Sequence, residues 1–72
     1  MVEEYAVKVG NQYIATVYTD STGECNTFDK ALKVKTQDEA EVLMIIAKRR
    51  NSGSTAEWKI RKRTIEYIDV EV

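Results

Sequence analysis

Apolar and polar positions alternate along residues 4–18, with one interruption at residues 10–11. Such alternation places every second side chain on one face of a strand, and Gly-Asn is a common turn between two strands. The chain therefore predicts a β-hairpin in this region. Its apolar series consists of Tyr5, Val7 and Val9 before the turn and Tyr13, Ala15 and Val17 after it.

The length of the hairpin loop decides which residues of the second strand share a face with the first. A two-residue loop, 10–11, pairs Val9 with Gln12 and places Ile14 on the face of Val9. A three-residue loop pairs Val9 with Tyr13 and places Ile14 on the opposite face. We prefer the three-residue loop, because it continues the apolar series across both strands.

The next stretch predicts a loop and then a third strand. Residues 19–27 are the least apolar part of the chain and are rich in residue types that favour turns, so we expect an exposed loop. Phe28, Leu32 and Val34 then form an even-numbered apolar series, with lysines between and after them. We interpret residues 28–35 as the third strand.

A helix is the clearest local prediction. The sequence Thr-Gln-Asp-Glu begins at Thr36 and matches a capping box, in which the Thr36 hydroxyl accepts from the amide of Glu39 while Glu39 reaches back. Acids in the first turn and bases in the last turn suit the helix dipole. We expect a helix over about 37–50, ended by Asn-Ser-Gly-Ser at 51–54. Its predicted buried stripe is Ala40, Leu43, Ile46 and Ala47, widened by Val42 and Ile45.

Residues 57–72 are strand-like, since they are rich in β-branched and aromatic residues and contain no Gly or Pro. The alternation is interrupted near residues 62–66, where a bulge or a short turn would exchange the two faces. One bent strand and two strands in a hairpin both fit this pattern. Trp58 heads the apolar series, so we expect it to pack in the core. The even-numbered apolar positions are Trp58, Ile60, Ile68, Val70 and Val72.

These elements predict an α+β fold in one small domain, residues 1–72. The expected order is β-β-β-α-β(β), with a mostly antiparallel sheet and a single helix packed on one of its faces. A chain of 72 residues, 43% of them apolar, has room for one thin core.

The residue types present argue against catalysis. The chain has no histidine, so Ser-His-Asp and Cys-His constellations are excluded, together with mixed His/Cys zinc sites. Cys25 is the only cysteine and stands next to Glu24, which disfavours a thiolate. No phosphate-binding or calcium-binding loop is present. We expect no enzymatic activity, no metal and no cofactor.

The chain starts at Met1 with a charged segment and contains no apolar run long enough to cross a membrane. We therefore expect a cytoplasmic protein that has no membrane partner.

Charge is divided unevenly along the chain. Seven bases fall within residues 48–63, where Glu57 is the only acid, so this stretch carries a formal +6 and the remainder carries −7. A basic patch attracts nucleic-acid phosphates or an acidic protein surface. Equally, cations commonly end helices and protect strand edges. The candidate partner-binding residues are Lys48, Arg49, Arg50, Lys59, Arg61 and Arg63.

Self-association is an alternative function. A small core gains stability from a second subunit, and the last strand or the exposed edge of the hairpin offers unpaired backbone groups for pairing with a second copy. In that case the protein is a structural module, a homodimer with no nucleic-acid role.

The chain also resembles a class of known proteins. The segment Tyr-Ala-Val-Lys-Val-Gly-Asn-Gln-Tyr-Ile-Ala, a polar loop, and Thr-Gln-Asp-Glu-Ala opening one helix before a final strand are similar to small α+β proteins encoded by phages and prophages of Gram-positive bacteria. This resemblance implies action by binding, either as an inhibitor of host defence, such as an anti-CRISPR protein, or as a regulator of host enzymes. It transfers no functional residue.

Overall fold

The computed structural model describes residues 2–51 and 56–65, which form a four-stranded antiparallel sheet and one α-helix. The predicted α+β architecture, with one helix on one face of an antiparallel sheet, is confirmed. The strands lie in the order β3-β2-β1-β4. Along the chain, the elements are β1 (Val2–Val9), β2 (Gln12–Val17), β3 (Thr22–Cys25), a 3-10 turn (Phe28–Lys30), α1 (Gln37–Arg50) and β4 (Trp58–Ile65).

A two-residue turn joins β1 to β2, so the preferred three-residue loop was wrong. Val9 pairs with Gln12, and Lys8 pairs with Tyr13. Gly10 has φ of 59°, and no other residue of the described segments has a positive φ. This combination is typical of a II′ turn, whose first central position suits glycine because it lacks a Cβ.

The turn sets the composition of the core. Val7, Val9 and Ile14 are buried on one face of the sheet and contact Ala47 of α1. Ile14 is therefore on the face of Val7, as the shorter loop requires. Trp58 packs against this cluster, which confirms its predicted core position, and Val17, Leu43 and Met44 complete it.

The predicted third strand at 28–35 was wrong. Pairing between β1 and β2 ends after two residue pairs, and the segment after the 3-10 turn lies between them. The Leu32 amide donates to the Ile14 carbonyl at 3.0 Å, and Val34 and Tyr5 exchange backbone hydrogen bonds at 2.8 and 2.9 Å. An isolated bridge replaces a full strand because this segment satisfies backbone groups of two different strands.

Side-chain contacts hold the 3-10 turn at residues 28–30. The Phe28 ring packs edge-on against Tyr13, with 5.8 Å between ring centroids. The Lys33 ammonium donates to the carbonyls of Phe28, Asp29 and Ala31 at 3.3, 2.5 and 3.2 Å. A single lysine thus satisfies three acceptors that a strand would have used for ladder pairing.

The predicted loop at 19–27 was wrong in part, because β3 occupies its middle. β3 pairs with β2 from Val17 opposite Thr22 to Tyr13 opposite Cys25, with an irregularity between Ile14 and Thr16. A register shift there lets the short edge strand follow the twist of β2.

The helix has the predicted bounds and the predicted cap. The Thr36 hydroxyl accepts from the Glu39 amide at 3.1 Å, and its own proton bonds the Glu39 carboxylate at 3.1 Å. At the other end, the Asn51 side-chain amide donates to Thr22 and Glu24 of β3, both at 3.4 Å. The helix is therefore anchored to the sheet edge. Within the described residues, no helical segment has the length and apolar character that a bilayer crossing requires.

The buried stripe of α1 differs from the predicted one. Ala40 and Ala47 are fully buried and Leu43 and Met44 partly so, whereas three apolar residues are exposed. The small Ala side chains let the helix approach the sheet closely, and this rotates the larger residues outward. The exposed ones are Val42, Ile45 and Ile46, at 56, 51 and 37%.

β4 pairs with β1 without interruption. The register runs from Trp58 opposite Val9 to Ile65 opposite Val2, so no bulge occurs within residues 62–65. Whether the end of the chain forms one bent strand or two concerns residues 66–72, which lie outside the described residues.

The turn glycine gives a stability test. We expect Gly10→Ala to lower the free energy of unfolding by about 1–2 kcal/mol, because an L-residue at this φ brings its Cβ too close to the backbone. Gly23→Ala is the matched control. Its φ is not positive and its new Cβ would meet Thr16 and Tyr18 at an ordinary 3.5 Å, so stability should stay equal or rise slightly. Urea unfolding measures both changes, and equal losses in the two variants would contradict a strained turn.

Candidate functional site

The register of β4 divides the predicted cations between two faces of the sheet. Trp58 and Ile60 pair with Val9 and Val7, and Trp58 packs on the core beneath α1. Because side chains alternate along a strand, the residues between and after them point away from the helix. Lys59, Arg61 and Arg63 therefore lie on the face opposite α1.

Two residues of the hairpin, Lys8 and Tyr13, lie on the same face as these β4 cations. Lys8 stands directly opposite Lys59 on β4 and opposite Tyr13 on β2. Arg61 stands opposite Ala6, which is fully buried. The sheet thus carries Tyr13, Lys8 and Lys59 in one row across three strands, with Arg61 in the next row. We call Lys8, Lys59 and Arg61 the basic face.

The cations of the basic face have few internal partners. The Lys8 ammonium lies 5.8 Å from the centroid of the Tyr13 ring. Lys59 contacts Glu57 at 3.7 Å, and both side chains are more than half exposed, so this ion pair contributes little. Arg61 has no carboxylate within ion-pair distance among the described residues. Most of this positive charge is therefore available to an external anion.

Arg63 has a different environment from its neighbours on β4. Its guanidinium pairs with Glu4 of β1 at 3.1 Å and with Asp29 of the 3-10 turn, and it lies 4.7 Å from the centroid of the Phe28 ring. Its Nε is buried and has no hydrogen-bond acceptor within the described part of the chain. Arg63 joins β4, β1 and the 3-10 turn on this face.

These contacts shift two pKa values. The Arg63 guanidinium lowers the pKa of the Asp29 carboxyl below its ordinary 3.8, mainly through their hydrogen bond and then through its charge. In return, the hydrogen bonds that Arg63 donates to Asp29 and Glu4 raise the pKa of Arg63. Both groups therefore stay ionised throughout the neutral range.

Lys62 lies on the other face of the sheet, where α1 packs, and it also has an ion-pair partner. Its ammonium contacts Glu3 at 3.1 Å and lies 6.0 Å from the centroid of the Tyr5 ring. Hydrogen bonding to Lys62 lowers the pKa of Glu3, and the same bond raises the pKa of Lys62. Like Arg63, Lys62 is occupied by contacts within the chain.

The helix-end cations are separate from the basic face. Lys48, Arg49 and Arg50 are exposed in the last turn of α1, which packs on the other side of the sheet. The structure therefore brings together Lys59, Arg61 and Arg63 of the six candidates and leaves the other three apart.

Sequence reasoning missed Lys8 as a member of this surface and gave Tyr13 only as one of four tyrosines, with Tyr5, Tyr18 and Tyr67, whose rings could stack on bases. The two-residue turn was the signal that would have placed Tyr13 here, because it pairs Tyr13 with Lys8, which points away from Val9. Of the other tyrosines, Tyr5 is buried beside Lys62, Tyr18 is 56% exposed, and Tyr67 lies outside the described residues.

Other candidate chemistry is sparse in residues 2–51 and 56–65. The Cys25 thiol donates to the Thr27 carbonyl at 3.3 Å and is partly buried. No group of three or more Cys, Asp or Glu residues in this part of the chain is arranged to hold a metal ion. A groove of about 430 Å³ runs beside α1 and is lined by Val34, Asp38, Glu39, Val42, Leu43 and Ile46.

No protein-family model, no curated protein and no solved structure matches this chain. The resemblance to phage and prophage proteins stays a prediction.

The Arg63 contacts predict a pH effect. In the folded state, a lowered Asp29 pKa means that the pairing is fully present above pH 3.8 and is lost as the pH falls through the lowered value. We expect Arg63→Gln to raise the Asp29 pKa toward 3.8 and to flatten the loss of stability below that pH. NMR titration of the Asp29 carboxyl, with acid unfolding, measures both.

Arg61→Gln is the matched control, since Arg61 lies two residues earlier on the same face without a carboxylate partner among the described residues. An Asp29 pKa that responds equally to both substitutions would contradict a specific Arg63 contact.

Proposed function

We propose that this protein is a non-enzymatic binding protein that holds a single-stranded nucleic acid on its basic face. The observation that carries this proposal is the direct pairing of Lys8 with Lys59. Like charges directly opposite each other on two strands are destabilising, and a sheet without a ligand gains nothing from them. A phosphate between the two ammonium groups would convert their repulsion into attraction.

The neighbouring residues support a nucleic acid over an isolated anion. Arg61 adds a third cation and has no carboxylate partner among the described residues, and Tyr13 adds an aromatic ring at the end of the Lys8 row. Proteins that bind single strands combine cations along the backbone with aromatic rings that stack on bases. A row of side chains across three strands also suits a flexible strand better than a duplex, whose bases lie inside.

Arg63 has a supporting role in this proposal. Its contacts with Glu4, Asp29 and Phe28 hold the 3-10 turn over the same face of the sheet. The helix-end cations do not belong to the proposed site, since α1 lies on the other side.

In biological terms, we propose a cytoplasmic accessory or regulatory protein that acts by occlusion or recruitment, as the resemblance to phage and prophage proteins implies. An inhibitor of a nucleic-acid-directed host defence fits such a surface. An acidic protein surface is the rival partner, and an acidic peptide in the binding assay separates the two.

Self-association through the last strand is disfavoured by the sequence of β4. The outer edge of this strand pairs with no other strand of the described residues. Arg61, Lys62 and Arg63 occupy its middle, so a second antiparallel copy would oppose cations to cations. Edge protection is therefore a compatible second role for the same residues.

Fluorescence anisotropy with labelled oligonucleotides tests the proposed function. We expect a single-stranded oligonucleotide to bind more tightly than the corresponding duplex and than a polyglutamate peptide. Three phosphate contacts predict a slope of about −2 for log affinity against log salt concentration. Equal binding of the polyglutamate peptide would favour the protein partner, and absence of salt-sensitive binding would exclude the nucleic acid.

Two substitutions with the same charge change locate the site. We expect Arg61→Gln to reduce the salt slope by about 0.7, the value for one phosphate of a single strand. Arg50→Gln, at the end of α1, should leave the slope unchanged. A larger effect of Arg50→Gln would move the binding site to the helix end.

A further inference from the structure

The outward side of α1 is apolar at its centre and charged at its ends. Val42 and Ile45 are 56 and 51% exposed, while Ala40 and Ala47 on the opposite side of the helix are fully buried. Asp38 and Arg49 are also exposed, one in the first turn and one in the last. We call Asp38, Val42, Ile45 and Arg49 the outer strip.

The spacing of the outer strip is that of a helix-pairing seam. Its members are four, three and four residues apart, so they lie above one another along one line of the helix. Two adjacent exposed apolar side chains offer a surface that a partner can bury, and the charged residues at both ends decide which partner fits.

That pattern is complementary to itself under a two-fold rotation. When two copies of α1 cross antiparallel about the point between Val42 and Ile45, Val42 of each copy faces Ile45 of the other. The same operation places each Asp38 opposite an Arg49. Two-fold interfaces require this kind of self-matching surface.

We propose that the outer strip is a homodimer interface, in which two copies of the chain pair through antiparallel α1 helices. The apolar centre supplies burial, and the two Asp38–Arg49 contacts fix the antiparallel direction, because a parallel pair would oppose like charges at both ends. Glu39 and Lys48 flank the strip with the same polarity and reinforce this choice.

The chain's own last residues, 66–72, are a poorer occupant of this surface. They contain Glu66, Asp69 and Glu71 and no base. The groove beside α1 has Asp38 and Glu39 in its wall, so an acidic segment would meet like charge there.

The dimer is expected to be weak. A helix of 14 residues is only about 21 Å long, which limits the buried area to less than a standard protein–protein interface. Sedimentation velocity over a concentration series up to about 1 mM covers associations of this strength. We expect the mass to rise from the 8.2 kDa of one chain toward twice that value.

The apolar centre is tested by Val42→Lys, with Tyr18→Lys as the matched control. Both residues are 56% exposed, but Tyr18 lies just after β2 and away from the strip. We expect Val42→Lys to weaken association by about tenfold or more, with a helical circular dichroism spectrum retained, and Tyr18→Lys to leave it unchanged. A wild-type mass of 8.2 kDa at every concentration, or equal effects of both substitutions, would overturn the proposal.

A charge exchange tests the antiparallel pairing. Asp38→Arg and Arg49→Asp should each weaken self-association, because each creates two like-charge contacts. Mixed in equal amounts, the two variants should form a heterodimer in which both contacts are again opposite in charge. Mixing does not alter the stability of either helix, so the recovery reports only on contacts between chains. No recovery on mixing would refute this interface.

Discussion

The parity of the hairpin turn is the constraint on which the rest of this structure depends. Because Gly10 accepts a positive φ, two residues complete the turn and Val9 faces Gln12. Ile14 therefore joins the core on the helix side, and Tyr13 points to the other side, next to Lys8. A one-residue change in the loop would exchange the faces of Ile14 and Tyr13, whereas Lys8 would keep its face because it alternates with Val9 along β1. One backbone angle thus decides which residues of β2 enter the core and which aromatic ring lies beside the cations.

On the face of the sheet opposite α1, side chains hold the 3-10 turn more than backbone pairing does. After two residue pairs, β1 and β2 separate, and the extended segment at 31–34 fills the space between them. The Lys33 ammonium then holds the 3-10 turn through the backbone carbonyls of Phe28 and Asp29, and the Arg63 guanidinium holds it through the Asp29 carboxylate. Charged hydrogen bonds of this type are directional. They therefore fix the position of Phe28 more closely than its apolar contacts alone would. The basic face keeps its shape because this turn is held beside it.

Local signals in the sequence were enough to predict the helix and its bounds. The Thr36 cap, the acidic first turn and the basic last turn act within a few residues, so neighbours in sequence are neighbours in space. The structure of residues 28–35, which we predicted to be a strand, could not be derived in this way. It depends on hydrogen bonds between residues that are distant in sequence, such as that from Leu32 to Ile14. Only part of the candidate site could be predicted from the sequence, for the same reason. Lys59 lies near Arg50 in the sequence, whereas the strand register places Lys59 opposite Lys8.

The two proposed surfaces lie on opposite sides of the molecule, and this has a consequence for binding. A dimer joined through its helices would bury α1 in its centre and present one basic face on each outer side. A short oligonucleotide could then contact only one face, so pairing of chains would leave its affinity unchanged. A longer strand that passes around the dimer could contact both faces, and the second contact would be intramolecular. Dimerisation would therefore favour long single strands over short ones without any change in the basic face.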